Sequence, residues 1–300
     1  MKFAVTGGSG FIGSYIVKHL LNQGHQVTII DNYSRGRLEN LQGYENKINS
    51  IKIDILEFNR LREAIDGHDG IFHQAALTSV PESFTHQEKY HKVNVDGTEN
   101  IFKIAQEFKN KVVYASSSSV YGDTISIPIK ENFEKNPINP YGKTKLDDER
   151  LAEKYSKSGV RIIGLRYFNV YGIGQTLDYA GVITKFHDLI KENLSPIIFG
   201  DGSQIRDFIS VEDVAKANLF AMQSKTNFDF LNIGTGIGTS ILELANLMIK
   251  LSGKSLSPKI EEPLEGDIKE SQADVIHTKK SIGWSYETEL ENGLKKFFFS

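Results

Sequence analysis

The chain has 300 residues, 39% of them hydrophobic, so it can bury a substantial core in one large domain or two closely packed lobes. Its formal net charge of -3 gives no basic field for a phosphate backbone, which argues against nucleic acid as a partner. Cysteine is absent, which excludes disulfides and thiolate zinc sites, and the histidines lack paired ligand spacing, so we expect no metal site.

The chain begins with Met1 and Lys2 and passes directly into a short apolar segment and a glycine-rich loop. A signal peptide or a membrane span requires a longer apolar core. We therefore expect a cytoplasmic protein with no membrane partner.

Apolar runs bounded by glycine or polar residues predict buried parallel strands at 3–5, 27–30, 51–53, 71–73, 112–115 and 161–165. Stretches with helical spacing lie between them, at 12–20, 93–108 and 141–155. This alternation predicts an α/β fold of the Rossmann type, with a doubly wound parallel sheet. Past residue 166 glycine-rich turns replace the alternation. We expect a nucleotide-binding domain at 1–170, to which 205–235 return, and a smaller C-terminal substrate-binding lobe formed mainly by 171–300.

A glycine-rich loop follows the first predicted strand and opens the first predicted helix. Gly8, Gly10 and Gly13 have the G-x-G-x-x-G spacing of a dinucleotide-binding loop. Such a loop needs a tight turn, a backbone that a pyrophosphate can approach, and amide hydrogens at a helix N-terminus. An ordinary glycine-rich turn is the alternative interpretation.

Asp31 strengthens the dinucleotide interpretation. It ends the second predicted strand, roughly 20 residues beyond the loop, where a carboxylate can accept hydrogen bonds from both ribose hydroxyls and repels a ribose phosphate. NAD is therefore favoured over NADP. Arg35 and Arg37 lie close by and could meet a phosphate, but they are more simply interpreted as solvated surface residues.

A possible catalytic group combines a serine run with a tyrosine and a lysine. The predicted strand 112–115 ends in four serines, at the edge of the sheet where α/β folds bind ligands. Tyr141 and Lys145 are four residues apart at the start of a predicted helix and so share one face. A phenol is a poor base at neutral pH, but an adjacent ammonium and a positively charged nicotinamide stabilise the phenolate. A serine-rich turn and a solvated helix are the alternatives.

These motifs in their order resemble the extended short-chain dehydrogenase/reductases. The resemblance covers nearly the whole chain and is carried by Gly7, Gly10 and Gly13, Asp31, His-Gln-Ala-Ala at 73–76, Asn-Val-Asp-Gly-Thr at 94–98, Ser-Ser-Ser-Val-Tyr-Gly, Tyr141 with Lys145, and Arg-Tyr-Phe-Asn at 166–169.

The resemblance implies a role for each residue of the catalytic group. Tyr141 would be the base, Lys145 would hold the nicotinamide ribose, and Ser117 would hydrogen-bond the reacting oxygen. Because Ser116 and Ser118 flank Ser117, the catalytic serine could also be either of these neighbours. The implied NAD contacts are Gly7, Gly10, Phe11, Ile12, Asp31, Asn32, Asp54, Ile55, Gln74, Ala75, Ala76, Asn94, Ser116, Tyr141, Lys145, Tyr167 and Phe168.

The residues after the serine sort the reaction within this family. The 4,6-dehydratases resemble Thr-Asp-Glu-Val-Tyr-Gly, because eliminating water needs an extra acid and base, and UDP-glucuronate decarboxylases carry a glutamate there. This chain has Ser118 and Ser119. The resemblance is therefore closest to NAD-dependent UDP-hexose 4-epimerases, which act through a transient 4-keto sugar and regenerate NAD each turn.

A UDP-sugar would bind mainly through the C-terminal half. The implied substrate contacts are Ser79, Ser117, Tyr141, Asn169, Val182, Ile197, Phe199, Arg206, Asp267 and Ser271. Arg206 suits a phosphate, although it could instead pair with Asp207. Leu264 stands where the family usually has an arginine, so one phosphate contact is missing or replaced by Arg206 or another cation.

Ser271 aligns with the residue that gates the space beside the 2-substituent of the hexose. A small gate leaves room for an N-acetyl group, which a tyrosine would exclude, and the run at 79–83 also resembles epimerases that accept N-acetylated hexoses. Both UDP-glucose/UDP-galactose and their N-acetylated forms are therefore expected substrates.

Two alternatives remain open. One is another sugar-nucleotide enzyme of the family, such as a dehydratase, a decarboxylase or a UDP-glucuronate epimerase. The other is a non-catalytic NAD-sensing protein, since fold alone does not imply function. The resemblance also implies a homodimer that pairs through the helices at 93–108 and 141–155.

Overall fold

The computed structural model describes residues 1–124, 126–175, 181–263 and 268–299. The strands are β1 (Lys2–Thr6), β2 (Gln26–Asp31), β3 (Ile48–Lys52), β4 (Gly70–His73), β5 (Lys111–Ser117), β6 (Arg161–Tyr167), β7 (Asn169–Tyr171), β8 (Ile197–Phe199), β9 (Ile205–Arg206), β10 (Phe208–Ser210), β11 (Phe228–Ile233), β12 (Thr239–Ser240), β13 (Lys259–Glu261) and β14 (Glu270–Ser271). The helices are α1 (Phe11–Asn22), α2 (Phe58–Ile65), α3 (Val80–Thr85), α4 (Gln87–His91), α5 (Gly97–Phe108), α6 (Pro140–Lys157), α7 (Val182–Lys191), α8 (Val211–Gln223), α9 (Ile241–Ser252), α10 (Ile276–Ile282) and α11 (Leu290–Phe299).

A seven-stranded sheet in the order β11-β6-β5-β4-β1-β2-β3 forms the centre of the molecule. Every neighbouring pair is parallel. The order reverses between β1 and β4, because the chain first winds outward to β3 and then crosses back. This confirms the doubly wound Rossmann-type sheet, and the reversal is where such sheets open a ligand crevice at the carboxyl ends of their strands.

Helices cover both faces of this sheet. On one face α1 and α8 bury apolar side chains such as Ile16 and Val214 against the strands. On the other face α2, α5 and α6 bury side chains such as Leu61, Phe102 and Tyr155. The strands carry near-continuous apolar runs because both of their faces are buried.

In the seven-stranded sheet, two strands differ from the predictions by more than two residues, and the short strands outside this sheet were not predicted. The predicted strand 51–53 begins earlier, at Ile48, because β3 is the edge of the sheet and includes exposed polar residues such as Asn49 and Ser50. β11 was not predicted at all. Its first residues lie near the surface, so its apolar run is short.

The predicted helix at 93–108 is part of a longer one. α4 passes through a π-helical turn, Lys92–Asp96, directly into α5. The turn widens the helix by one residue and directs Asn94 inward, where the side chain is buried. Such turns are frequent near functional sites.

The C-terminal residues form a second layer of short elements. β12, β9 and β14 make one small sheet, β10 pairs with β7, and β13 with β8. α7, α9 and α11 enclose a separate apolar core with Phe186, Met248 and Leu294 among its residues. α8 and β11 rejoin the large sheet. We propose the division at residue 170, with 205–235 returning to the first domain through α8 and β11; β9 and β10, at the start of that range, pair with short strands instead.

Of the helices in the described part of the chain, none has the length and apolar composition that crossing a bilayer requires. The same residues contain no cluster of three or more histidines and carboxylates that could hold a metal ion.

Candidate active site

The glycine loop between β1 and α1 is packed too tightly to carry side chains. Gly7 has a φ of +66°, and a Cβ there would lie 2.7 Å from the backbone nitrogen of Ala75. At Gly13 a Cβ would lie 2.1 Å from the carbonyl oxygen of Gly7. Glycine is therefore required at both positions, because the loop backbone must approach its neighbours closely.

The N-terminus of α1 is available to an anion. Gly10 is its N-cap and provides no side-chain hydrogen bond, and the first turn contains no acidic residue. Gly10, Phe11 and Ile12 line a cavity at the carboxyl ends of the strands. The uncapped amides and the positive end of the helix dipole suit a pyrophosphate at this position.

Asp31 ends β2 beside the loop. Its carboxylate accepts hydrogen bonds from the backbone N–H of Ser9 at 3.1 Å and of Tyr33 at 2.9 Å. Burial raises the pKa of Asp31, while these two hydrogen bonds oppose the rise. The two hydrogen bonds thereby fix the orientation of the carboxylate at the carboxyl end of β2, although Asp31 is not among the described residues that line the cavity.

The residues that follow β2 and β3 lie next to Asp31 in the chain or the sheet. Asn32 donates to Asp54 at 2.8 Å, directly after β2 and β3, and Ile55 is buried beside them. Arg35 forms an ion pair with Glu82 at 2.5 Å and is partly buried, so it is not the solvated residue that the sequence suggested. The glycine loop, the helix N-terminus and the carboxylate together fit a dinucleotide.

One cavity, of about 440 Å³, joins this loop to the predicted catalytic group and is called the main cavity for that reason. It lies along the strand ends from β1 to β7. Its lining consists of Gly7, Gly10, Phe11, Ile12, Gly13, Arg35, Asn40, Gln74, Ala76, Thr78, Ala115, Ser116, Ser117, Tyr141, Lys145, Tyr167, Phe168, Asn169, Val170, Tyr171, Gly174, Gln175, Gly181, Val182, Ile183 and Phe208.

Ser116 and Ser117 differ in what their hydroxyls contact. Ser116 Oγ donates to Glu149 at 2.7 Å, beneath α6. Ser117 Oγ donates to Ser119 Oγ at 3.1 Å and accepts from the Ser119 backbone N–H at 3.2 Å. Because Ser116 is committed to a buried carboxylate, Ser117 is the better placed of the two to contact a ligand.

α6 begins against the serine turn. Asn139 caps it, accepting from the backbone N–H of Gly142 at 2.8 Å. A Cβ on Gly142 would lie 2.6 Å from the carbonyl oxygen of Ser119. This close contact brings Tyr141 and Lys145 into the same cavity as Ser117.

The backbone behind the cavity is braced by buried polar side chains. Asn94 accepts from the backbone N–H of Leu77 at 2.8 Å and donates to Thr144 Oγ1 at 3.0 Å. It was predicted as a cofactor contact, but it is buried and absent from the lining of the main cavity in the described residues. Its contacts tie the segment after β4 to α6.

His73 is a packed residue at the end of β4. Its Nδ1 lies 2.6 Å from Thr6 Oγ1 and its Nε2 lies 2.9 Å from Thr98 Oγ1. Burial lowers the pKa of His73 to about 3, and Lys145 adds to the lowering. The ring is therefore neutral, and its role is to join β1, β4 and α5.

A second cavity, of about 610 Å³, adjoins the first through Asn169 and Val182, which line both. It is lined by Asn169, Val182, Lys185, Phe186, Asp188, Leu189, Ile197, Phe199, Gln204, Arg206 and Ile241. The predicted substrate residues Ile197, Phe199 and Arg206 thus face one apolar cleft with a basic group in it.

Asp207 accepts its hydrogen bonds from residues other than the adjacent Arg206. Its carboxylate accepts from the backbone N–H groups of Thr235, Gly236 and Ala273 at 2.7 to 3.1 Å, and from the Thr235 hydroxyl at 2.7 Å. Arg206 donates from Nη1 to the carbonyl oxygen of Ile205 at 2.9 Å and lines the second cavity.

The remaining predicted substrate residues lie at different depths. Ser271 is buried on β14, in register with Arg206 on β9. Ser79 caps α3, accepting from the backbone N–H of Glu82 at 3.3 Å. Neither lines the main cavity in the described residues. Asp267 and Leu264 lie outside the described residues.

Several cavity residues were missed by the sequence analysis. Asn40, Thr78 and Gln175 carry no motif that could have identified them. On α7, Lys185, Phe186 and Leu189 were also missed; they line the second cavity on the same face as Val182, which was predicted. Their spacing of three, four and seven residues is a signal that could have indicated a common face.

Comparisons with known proteins place these features in context. The family model described as "NAD dependent epimerase/dehydratase family" matches residues 3–234. A putative UDP-glucose 4-epimerase of Methanocaldococcus jannaschii is 39% identical over 298 residues, covering 97% of this chain and 95% of that protein. A UDP-N-acetyl-alpha-D-glucosaminuronate decarboxylase of Bacillus cytotoxicus is 33% identical over 306 residues, covering 97% and 95%.

Solved structures give the same result. The UDP-N-acetylglucosamine 4-epimerase from Methanobrevibacter ruminantium M1, in complex with UDP-N-acetylmuramic acid, has a TM-score of 0.95 at 35% identity. The match covers 99% of this chain and 96% of that one. The agreement in fold therefore extends over both the sheet and the C-terminal elements.

Proposed function

Because the chain belongs to the NAD-dependent epimerase/dehydratase family and its cofactor is NAD, we propose that it is a UDP-hexose 4-epimerase. The substrates are UDP-glucose and UDP-galactose, and their N-acetylated forms. One observation carries the proposal: Ser117, Tyr141 and Lys145 line one cavity whose described lining contains no carboxylate. Dehydration and decarboxylation in this family draw on acidic residues beside the serine, whereas epimerisation does not need them.

NAD would bind along the carboxyl ends of the strands. The amides of the glycine loop and of the α1 N-terminus would hold the pyrophosphate, and Asp31 would accept from the adenosine ribose. Tyr167 and Gln74 both line the main cavity, and the Tyr167 hydroxyl donates to Gln74 at 3.1 Å. These two side chains would lie beside the nicotinamide end of NAD. When bound, NAD supplies a two-electron acceptor that takes a hydride from the sugar and returns it.

The protein's own residues move the proton. Tyr141, as phenolate, would accept the proton of the 4-hydroxyl while the sugar is oxidised at C4 to the 4-keto form. Lys145 would stabilise the phenolate by its positive charge. Ser117 would donate to the reacting oxygen, whose negative charge grows as the proton leaves. Tyr141 would give the proton back when the keto sugar, with its other face presented, is reduced at C4.

The second cavity suits the uridine diphosphate. Its aromatic and aliphatic walls, including Phe186 and Phe199, can bury a base. Arg206 and Lys185 provide two positive charges in this cavity for the diphosphate, against one carboxylate, Asp188, in its described lining. The junction at Asn169 and Val182 would place the diphosphate between the base and the hexose.

Ser271 is proposed to leave room for an N-acetyl group. We expect Ser271→Tyr to lower turnover of UDP-N-acetylglucosamine by about tenfold or more, because a phenol ring fills the space beside the 2-substituent, where hydrophobic discrimination reaches roughly 10–200-fold. Turnover of UDP-glucose should change much less. Initial rates on both substrates measure the ratio, with Ser271→Ala as the control that leaves the ratio unchanged. Equal losses on the two substrates would refute the gate.

The reaction itself is tested by its products. Purified protein incubated with UDP-glucose and no added reductant should give an isobaric product that co-elutes with UDP-galactose. A product lighter by one water or one carbon dioxide, from any UDP-hexose or UDP-hexuronate, would refute epimerisation and favour the dehydratase or decarboxylase. If only UDP-glucuronate were converted, to a product inverted at C4, the substrate would be UDP-glucuronate and not a UDP-hexose.

A homodimer is part of the same proposal. The family resemblance implies pairing through α5 and α6, which pack beside each other on one face of the sheet. Each monomer would then keep its own cavities, because these open at the carboxyl ends of the strands. Sedimentation equilibrium distinguishes a dimer from a monomer.

A further inference from the structure

A buried carboxylate lies one helical turn beyond Lys145. Lys145 Nζ donates to Asp148 Oδ2 at 3.2 Å, and the two side chains are 4% and 0% exposed. The other oxygen of Asp148, Oδ1, is buried and has no hydrogen-bond partner among the described residues. Nothing in the proton transfer described above uses this group.

Such a carboxylate is expensive to bury. Taking it out of water costs several kcal/mol, which one hydrogen bond to an ammonium does not fully offset when an oxygen remains unpaired. A residue of similar size without charge would fill the same space on α6 at lower cost. The hydrogen-bond partner of Asp148 is Lys145, a proposed catalytic lysine, so the charge of Asp148 acts first on that lysine.

We propose that Asp148 is a positioning residue that anchors the ammonium of Lys145 and sets how strongly its charge acts on Tyr141. This rests on the proposed function of Tyr141 and Lys145. Asp148 does not line the main cavity within the described residues, so it acts through Lys145 and not on the sugar.

The charge of Asp148 changes the electrostatic field that Lys145 exerts on Tyr141. An ionised Asp148 offsets part of the positive field of Lys145, so the Tyr141 phenolate is stabilised less and holds its proton more firmly. An epimerase must take a proton and return it in each turnover, so a base of moderate strength suits both half-reactions.

Asp148 can change its charge near neutral pH. Burial raises the pKa of Asp148 to about 7, although Lys145 opposes the rise. Below that pH the carboxyl is neutral and the field of Lys145 is unopposed; above it the carboxylate counters that field. The titrations are coupled, so the measured values belong to the group as a whole.

Other charged and titratable groups surround Lys145 and Asp148. On α6, Asp147 and Glu149 also raise the pKa of Asp148. From β5, the buried Tyr114 faces Asp148, which helps to raise the pKa of that phenol.

The groups on β6, α5 and β4, farther from the Asp148 carboxyl, are either held in ion pairs or hydrogen bonds, or are neutral. Arg166 of β6 is paired to Glu149, and Glu99 of α5 is bonded to Tyr155 and Lys103. His73 of β4 is neutral, with a pKa lowered to about 3 by burial. Among these groups Asp148 is therefore the one that titrates near pH 7.

The test compares Asp148→Asn with Asp147→Asn. The first variant keeps the shape and the oxygen that accepts from Lys145, but removes the charge. Asp147 is the matched control: it forms an i,i+3 pair with Arg150 at 2.7 Å on the same helix, but at the surface, with exposures of 25% and 66%. Both variants change one aspartate to asparagine.

Because Asp148 is ionised only above about pH 7, we expect Asp148→Asn to move the part of the acid limb of the kcat/KM profile that lies above pH 7 to lower pH by about one unit, the shift that roughly 1.4 kcal/mol of electrostatic interaction produces, and to leave the profile below pH 7 unchanged. Asp147→Asn should move the profile much less, because the Asp147 charge is paired with Arg150 at the surface and acts on Lys145 only through its smaller effect on the pKa of Asp148. Profiles of Asp148→Asn and wild type that coincide would overturn the proposal. So would a lower unfolding midpoint of Asp148→Asn without any shift of the limb, since that reports a structural role alone.

A measurement without substrate separates this inference from the proposed function. In the wild-type protein, the ¹³C-carboxyl resonance that is missing from Asp148→Asn should titrate near pH 7. If no UDP-hexose is converted but this titration is found, the function is wrong and the coupled pair stands. A resonance that titrates near pH 4 would show that Asp148 stays ionised throughout the acid limb, and would overturn its change of charge near neutral pH whatever the enzyme does.

Discussion

Replacement of Tyr141 by phenylalanine should lower kcat for UDP-hexose epimerisation by roughly 10²- to 10⁴-fold, the usual contribution of a positioned acid or base. The phenol is the one group in the catalytic set that exchanges a proton with the sugar hydroxyl in this mechanism. The ring remains, so the cavity keeps its shape, and the affinities for NAD and UDP should change little. Steady-state kinetics and calorimetric binding measure the two effects separately.

Tyr155 offers a matched control for this variant. It lies on the same helix, but its hydroxyl donates to Glu99 at 3.1 Å, away from both cavities. Tyr155→Phe should retain the wild-type kcat and lose about 1 kcal/mol of stability at most, the value of one hydrogen bond. Equal activity of the two variants would exclude Tyr141 as the base.

Replacement of Arg166 by methionine should lower the free energy of unfolding by about 3–5 kcal/mol, because it leaves an uncompensated carboxylate in the interior. Arg166 donates to both oxygens of Glu149 at 2.8 Å, and to the Tyr121 hydroxyl at 2.7 Å. The two paired side chains are 1% and 4% exposed. Denaturant titration measures the loss.

The surface pair of Arg62 and Glu107 is the control for this prediction. Arg62 also donates to both carboxylate oxygens, but the two side chains are 41% and 44% exposed. Arg62→Met should therefore cost only about 0–1 kcal/mol. A similar loss in both variants would show that burial does not decide the strength of these pairs in this protein.

The buried network also links stability to the site. Glu149 accepts from Ser116 as well as from Arg166, and so joins β5, β6 and α6 directly beneath the predicted catalytic group. Loss of Arg166 should consequently disturb the position of Tyr141 along with the fold. The resemblance named Arg166 only as part of a motif, and its partner became visible in three dimensions.

Much of the first domain could be predicted from the chain because its signals are local. The glycine loop, Asp31 and the apolar runs depend on spacing within one segment, and the sheet has the expected parallel, doubly wound order. The helix that carries Tyr141 and Lys145 begins at Pro140, one residue before the predicted start. Membership of the family follows the same motifs and is confirmed by the family match.

The rest depends on contacts between distant segments. β11 joins β6 from far along the chain, and the second cavity brings α7, β8 and β9 together. The burial of Asp148 could not be predicted, because the sequence shows two adjacent aspartates and only the packing of α6 distinguishes them. Periodicity alone does not tell which face of a polar helix is covered.

The most direct test of the central claim is the fate of the hydrogen at C4. UDP-glucose carrying deuterium at C4 should be converted to UDP-galactose that retains the deuterium at C4, because the hydride is held at the site and returned to the same carbon. Mass spectrometry and NMR of the purified product report both the label and its position. Loss of the deuterium to water, or a product whose C4 is not inverted, would contradict the account.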